Sequence, residues 1–364
     1  MQRDKAIDAL KGLAVVLVVA GHAIPTAAAV FHGGPSLMKG DGFWVPVTTM
    51  ADPIHSLVYA FHMPLFAFVS GVVLWPGRGR SFLQDISRRA AGLLIPYAAW
   101  FFVTYAVLRL ATGASSAPPA VSDMAMGRGG LWYLYALFVC VLLLGGIARL
   151  KASRWLLPLS ALAAMGTDLV VAVPNAFHLS SVLWIYPFVV LGYLLAPMRE
   201  WVVRRRVTIG LAALVAFVPL YVLRHPSTVP GRSAVERLAV SMHASGMHGG
   251  AILVILVRYL CAAAAVLGLY ALYSGARVPA IDAQAWLGRR SLGIYAVHGP
   301  LQLWLVVSGV RTALALFGAS LALSVLTVIA LERIPLTNAV LLGRMRVGAL
   351  RLNWPGKIAE HRAE

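Results

Sequence analysis

Three side chains near the start of the chain, Asp8, Lys11 and His22, have types and spacing suited to handling a proton inside a helix bundle. Asp8 and Lys11 are three residues apart, so on a helix they share a face and can pair. His22 comes eleven residues after Lys11, close to three full turns, and falls on nearly the same stripe about 16 Å further along. An imidazole ordinarily titrates near neutrality and can take a proton from a hydroxyl as that hydroxyl attacks a carbonyl. The same residue can also serve as a neutral hydrogen-bonding group between helices. A second histidine, His62, stands in IHSLVYAFHMPLFAFVSGVVLW at a similar depth, open between ligand contact and structural hydrogen bond. Pro64, two residues on, predicts a local break in that helix that frees backbone carbonyls.

Arg78, Arg80, Arg88 and Arg89 cluster in the connector RGRSFLQDISRRAAGLLIPY. Guanidinium groups offer planar forks that match phosphate oxygens, and the same cluster can anchor a helix end or meet anionic lipid. Asp168, Arg258 and His298 are further ionisable groups within apolar runs, and Asp168 can pair with Arg258 across helices. Glu332 and Arg333 read as an ion pair ending the last apolar run. Trp132, Tyr133 and Tyr135 read as part of an interfacial aromatic belt. The chain has no HExxH motif, no cysteine pair with zinc spacing, no Walker phosphate loop and no G-x-S-x-G elbow. No metal is expected.

These residues need elements to hold them, and composition says what kind. Of 364 residues, 60% are hydrophobic and only 12% charged, with mean hydropathy +0.80. A soluble chain is about half apolar and about one quarter charged, so this one lacks the polar groups to cover a surface in water. The reading is an all-α, polytopic membrane helical bundle. Ten apolar runs of about 20 residues fall near 6–28, 54–76, 91–112, 130–148, 155–174, 181–197, 207–223, 250–273, 291–309 and 312–331. The net charge of +18 would suggest nucleic acid in a soluble protein. Here it sorts by side: with the N-terminus inside, 22 cations fall in inner segments and six in outer ones. Both termini are therefore expected in the cytoplasm, with no nucleic-acid partner. Residues 1–335 form the expected membrane domain and 336–364 a basic cytoplasmic tail. The longest outer connectors are 29–53 and 224–249, read as loops.

The opening RDKAIDALKGLAVVLVVAGHA resembles the first span of the acyltransferase family 3 membrane proteins, whose pattern is a basic residue, ten others, then histidine. FHMPLFAFVSG, ISRRAAGLLIPY, LWYLYAL, WLGRRSLGIYAVHGPL and LERIP are similar to that family's later motifs, in order along the whole chain. The resemblance implies an O-acyltransferase of the plasma (inner) membrane. It would move an acyl group, acetyl by expectation, from cytoplasmic acyl-CoA to a hydroxyl on an envelope glycan, a glycolipid or a secreted small molecule. It makes His22 the essential histidine, as base or acyl carrier, with Lys11 its basic partner; the spacing of the residues themselves adds Asp8 as the group that orients Lys11. His62 would bind the acceptor or steady the oxyanion. Arg88, Arg89, Lys11 and Tyr97 would receive the donor, acetyl-CoA, although the family often spaces its two arginines by two residues and here they are adjacent. The alternative is a transporter or flippase of a glycan or lipid, which intramembrane charges and long outer loops also suit.

Overall fold

In lipid every backbone N–H and C=O must find its partner within the segment, so long Leu/Val/Ala runs become helices. The computed structural model describes residues 4–31, 53–74, 81–112, 124, 131–170, 176–225, 233–245, 249–276 and 279–344. Among these, every regular element is helical. In order they are α1 (Lys5–Phe31), α2 (Pro53–Val73), α3 (Phe82–Thr112), α4 (Trp132–Ile147), α5 (Ser153–Val170), α6 (Leu179–Leu195) and the short α7 (Arg199–Arg204). There follow α8 (Arg206–Arg224), α9 (Ala234–Ala244), α10 (Gly250–Tyr273), α11 (Pro279–Gly288), α12 (Ser291–Val307), α13 (Ala313–Arg333) and the short α14 (Pro335–Val340).

A helix stands at each of the ten expected positions. Seven are long and apolar enough to cross a membrane: α1, α2, α3, α6 continued by α7, α8, α10 and α13. Helices α4 and α12 are apolar but only 16 and 17 residues long. On α8, Leu211, Leu214, Val215, Val218 and Val222 are exposed at three- and four-residue spacing. A continuous apolar stripe of this kind belongs against hydrocarbon rather than water.

Glycines set how closely the inner helices approach. A Cβ on Gly288 would lie 1.7 Å from the Asp8 carbonyl, and one on Gly12 would lie 1.9 Å from that of Gln284, so α1 and α11 touch backbone to backbone. Gly71 and Gly192 do the same for α2 and α6. The first contact seats the Asp8–Lys11 turn, and the second fixes α2 beside it.

Ion pairs gather at one end of the bundle. Asp4 meets Arg199 at 2.5 Å, Lys5 meets Asp282 at 3.0 Å, Asp85 meets Arg149 at 2.6 Å and Glu332 meets Arg290 at 3.0 Å. This is the end where the sequence concentrates its cations. At the opposite end the Tyr221 hydroxyl donates to the Pro53 carbonyl at 3.0 Å, and His225 Nδ1 lies 3.0 Å from Ser56 Oγ.

Three expectations change. Helix α2 runs unbroken through Pro64, because residues His62 to Val69 are all buried and their packing holds the turn that proline weakens. Part of the outer connector 224–249 is helix α9, started by a capping box in which Ser233 and Glu236 each receive the other's backbone N–H. Residues 336–344, the start of the segment 336–364 read as a tail, pack on the bundle: the Trp100 indole donates to the Leu341 carbonyl at 2.9 Å. Connector residues 32–52, 226–232 and 246–248 lie outside the described residues, as do Arg78 and Arg80.

Candidate active site

A cavity of about 340 Å³ opens at the ion-paired end of the bundle. Three cations, Lys11, Arg289 and Arg344, line it, with Ser70 and Phe66 of α2, Tyr133 of α4 and Tyr295 of α12 among its walls. Its size falls in the range of small-molecule sites. Two of these cations, Lys11 and Arg344, are held in place by named partners. Lys11 Nζ lies 3.5 Å from the carboxylate of buried Asp8, as their spacing predicts. Arg344 donates to Glu332 at 2.5 Å and to the Arg289 carbonyl at 2.6 Å, so the segment after α14 closes one wall. Glu332 also accepts from Arg290, at 3.1 Å, whose guanidinium lies 4.1 Å from the centre of the Trp286 ring. The expected partner, Arg333, is thus replaced by two arginines from α12's start and the C-terminal segment, which the end of α13 brings together.

Deeper in, the walls become aromatic. Tyr133 is buried, 3.3 Å from Ser70 Oγ and 5.9 Å ring to ring from Tyr295. It belongs to the site rather than to an interfacial belt, because its side chain reaches Ser70 and Phe66 of α2 and Tyr295 of α12 inside the bundle. Tyr295 in turn lies 5.8 Å, ring centre to ring centre, from His298, one turn further along α12. His298 is buried and meets His22 of α1: the rings are 5.1 Å apart and His298 Nε2 lies 3.5 Å from His22 Nδ1. The next turn of α12 supplies Gln302, whose amide donates to the Val19 carbonyl of α1 at 2.9 Å and to Ser320 of α13 at 3.3 Å. Two successive turns of α12 therefore hold α1 at His22.

On the far side of His22 stands Tyr59 of α2, 6.5 Å away between ring centres. Tyr59 stacks on His55 at 4.0 Å and meets His62 at 4.7 Å. His62 Nδ1 donates to Val58 O, one turn back on its own helix, at 2.9 Å. The structural hydrogen bond left open in the sequence is present, and it leaves the Nε2 side of that ring as its variable edge. Among the described residues no group of three or more His, Cys, Asp or Glu side chains is arranged to hold a metal ion.

Of the residues singled out from sequence, Lys11 lines the cavity with buried Asp8 paired to it, and His22 and His62 come to the histidine cluster beyond it. Arg88, Arg89 and Tyr97 do not line the cavity. Arg88 is exposed on α3, Arg89 lines a small separate cleft with Asp85 and Arg149, and buried Tyr97 donates to the Met124 carbonyl at 3.0 Å. Arg289, Arg344, Tyr133, Tyr295, His298 and Gln302 were given no site role from sequence. Arg289, Tyr295 and His298 all sit in WLGRRSLGIYAVHGPL, and an apolar run carrying a histidine was the available signal. The expected Asp168–Arg258 contact is present at 4.0 Å, reinforced by the Tyr259 hydroxyl at 3.1 Å from Asp168 and by Trp184 under the guanidinium.

The chain carrying this arrangement has relatives in sequence among known proteins. The family model described as "Acyltransferase domain", that of acyltransferase family 3, matches residues 4–333, and the chain belongs to that family. It is a multi-pass membrane protein. The curated protein "Nodulation protein NolL" of Mesorhizobium japonicum is 27% identical over 203 residues, 55% of this chain and 49% of that one. The protein of the same name from Sinorhizobium fredii is 29% identical over 203 residues, 54% of this chain and 50% of its own length. The chain thus matches about half the length of these relatives. No solved structure matches significantly.

Proposed function

We propose that this chain is an O-acyltransferase of the cytoplasmic membrane. It takes an acyl group, acetyl in the simplest case, from cytoplasmic acyl-CoA and places it on a hydroxyl of an envelope glycan, a glycolipid or a secreted small molecule. The observation that carries the reading is the cavity, open among Lys11, Arg289 and Arg344 and ending at Tyr295, one helical turn short of His298 and His22.

The charge distribution supports a cytoplasmic position for the cavity mouth, with both chain ends on that side. The nucleotide part of the donor, an anion, rests among the cations at the mouth. Arg88 and Arg89, at the same end of the bundle, add to the field that draws it in. A cavity of this size takes the thin pantetheine arm and leaves the nucleotide outside. The arm carries the thioester past Tyr133 and Tyr295 toward His22. The acceptor hydroxyl approaches from the opposite side, past His62 and Tyr59. His22 removes the hydroxyl proton as the oxygen bonds to the thioester carbonyl carbon. The C–S bond then breaks, and the departing thiolate takes the proton from His22, leaving an ester and free coenzyme A. Lys11, held by Asp8, belongs to donor binding at the mouth rather than to the proton transfer, since it stands about 16 Å from His22.

The test uses protein reconstituted in nanodiscs with acetyl-CoA and a crude envelope glycolipid extract. Coenzyme A release that requires the extract, with acetyl ester appearing in it, is the expected result. Failure to bind acetyl-CoA at all, measured calorimetrically on the folded protein, would remove the proposal.

A further inference from the structure

We propose that His298 is the positioning residue for His22, fixing which nitrogen of His22 is the base. The inference rests on the proposed role of His22 and extends it to a second helix. His298 Nδ1 lies 2.6 Å from the Tyr295 carbonyl oxygen. A carbonyl can only accept, so the proton of the neutral His298 ring sits on Nδ1. Nε2 of His298 then carries a lone pair. That Nε2 lies 3.5 Å from His22 Nδ1, and an acceptor facing Nδ1 makes it the protonated nitrogen of His22. The lone pair of His22 is thereby assigned to Nε2, on the ring edge away from His298. The chain of donors runs from His22 Nδ1–H to His298 Nε2, and from His298 Nδ1–H to the Tyr295 carbonyl.

The geometry does the work that a carboxylate does for histidine in a hydrolase triad, with a neutral imidazole and a backbone carbonyl in its place. The arrangement is rigid where it needs to be. His298 is 2% exposed, and Gln302 one turn further along α12 ties α1 at Val19, so the distance between the two rings is set by two contacts of α12 on α1. When His22 Nε2 takes the acceptor's proton, the imidazolium that forms donates from Nδ1 to His298 Nε2. No proton needs to leave the pair, because the departing thiolate recovers the one on Nε2. Balance is kept: one O–H and one C–S bond break, one C–O and one S–H bond form.

Replacements of His298 separate positioning from packing. In His298→Gln the side-chain carbonyl reaches the place of Nε2 and can accept from His22 Nδ1–H. In His298→Asn the amide reaches only the place of Nδ1, so it satisfies the Tyr295 carbonyl and leaves His22 without its acceptor. His298→Leu removes both bonds. The measurement is label transfer from radiolabelled acetyl-CoA to envelope material in everted membranes, with kcat and KM for acetyl-CoA obtained separately. Expected are activity within about tenfold of wild type for His298→Gln, and kcat lower by about 100-fold or more for His298→Asn and His298→Leu, with KM little changed. Nitrogen-15 spectra of the histidine rings, recorded on wild-type protein, give a second reading that needs no variant: His22 should carry its proton on Nδ1. Equal activity of the Asn and Gln variants, or a His22 proton on Nε2, overturns the role of His298 alone. Full transfer by His22→Ala overturns the catalytic reading of His22 and the role of His298 with it.

Discussion

Gly288→Ala adds one methyl group where two helices touch. The new carbon would sit 1.7 Å from the Asp8 carbonyl oxygen and 2.9 Å from the Gly12 nitrogen, on the hydrogen bond that joins those two groups within α1. To open even 3.0 Å at the carbonyl, α11 must retreat from α1 by about 1.3 Å. The obstacle is backbone, so no side chain can rotate away. Overpacking of this kind costs about 1–3 kcal/mol, and more where the backbone cannot relax. The displaced turn carries Asp8 and Lys11, and Gly288 is followed directly by Arg289, so two of the three cavity cations move with it. A misplacement of about 1 Å in a substrate-positioning group can cost on the order of 100-fold in rate. Gly318→Ala is the control: its helix position on α13 has open space around it, and alanine there gains about 0.5–1 kcal/mol over glycine. Aliquots in detergent, heated and scored by size-exclusion chromatography, should show Gly288→Ala collapsing at lower temperature than wild type and Gly318→Ala at equal or higher temperature. Acyl transfer should fall in the first and persist in the second. A Gly288→Ala protein as stable and active as Gly318→Ala would refute the backbone contact between α1 and α11.

Arg289→Ala should raise KM for acetyl-CoA about tenfold with kcat within about twofold, since it removes one charged hydrogen-bonding group from the cavity mouth. Arg88→Ala, outside the cavity, should change KM less than threefold by estimate, the size of a weak long-range field. Both are read from initial rates of coenzyme A release. Glu332→Gln leaves Arg290 and Arg344 with a neutral partner in place of a carboxylate, and should cost roughly 2 kcal/mol in the same heating assay. It should also expose the chain after Ile334 to limited proteolysis, which is the result that distinguishes a loosened wall from general unfolding.

The helical class and the places of ten helices were legible because apolar runs long enough to matter leave few alternatives to helix in a bilayer. The Asp8–Lys11 pair was legible for the same reason: three residues apart on one helix is a local relation. So was the Asp168–Arg258 contact, since charges within apolar runs seek partners. What failed to show was everything that depends on which helices touch. His298 was visible as an intramembrane histidine, but its meeting with His22 spans 276 residues of sequence. Tyr133 looked interfacial because it opens an apolar run, yet its side chain is buried against Ser70 and Tyr295. Arg88 and Arg89 drew notice as an adjacent pair, while beside Lys11 the cavity took its further cations from Arg289 and Arg344, which the C-terminal segment brings together by folding back. The Pro64 break failed because burial on both sides of a proline can hold a helix that composition alone would interrupt. Helix α9 was missed although its S-x-x-E start, Ser233 to Glu236, is a local signal that the sequence does carry.

The central claim is that acyl transfer passes through His22. Its direct measurement is transfer of radiolabel from acetyl-CoA to envelope material in everted membranes, comparing wild type with His22→Ala at matched amounts of folded protein. Wild-type transfer with a loss of at least about 100-fold in the variant, and retained acetyl-CoA binding in both, is the predicted result. Transfer by His22→Ala at the wild-type rate would contradict it.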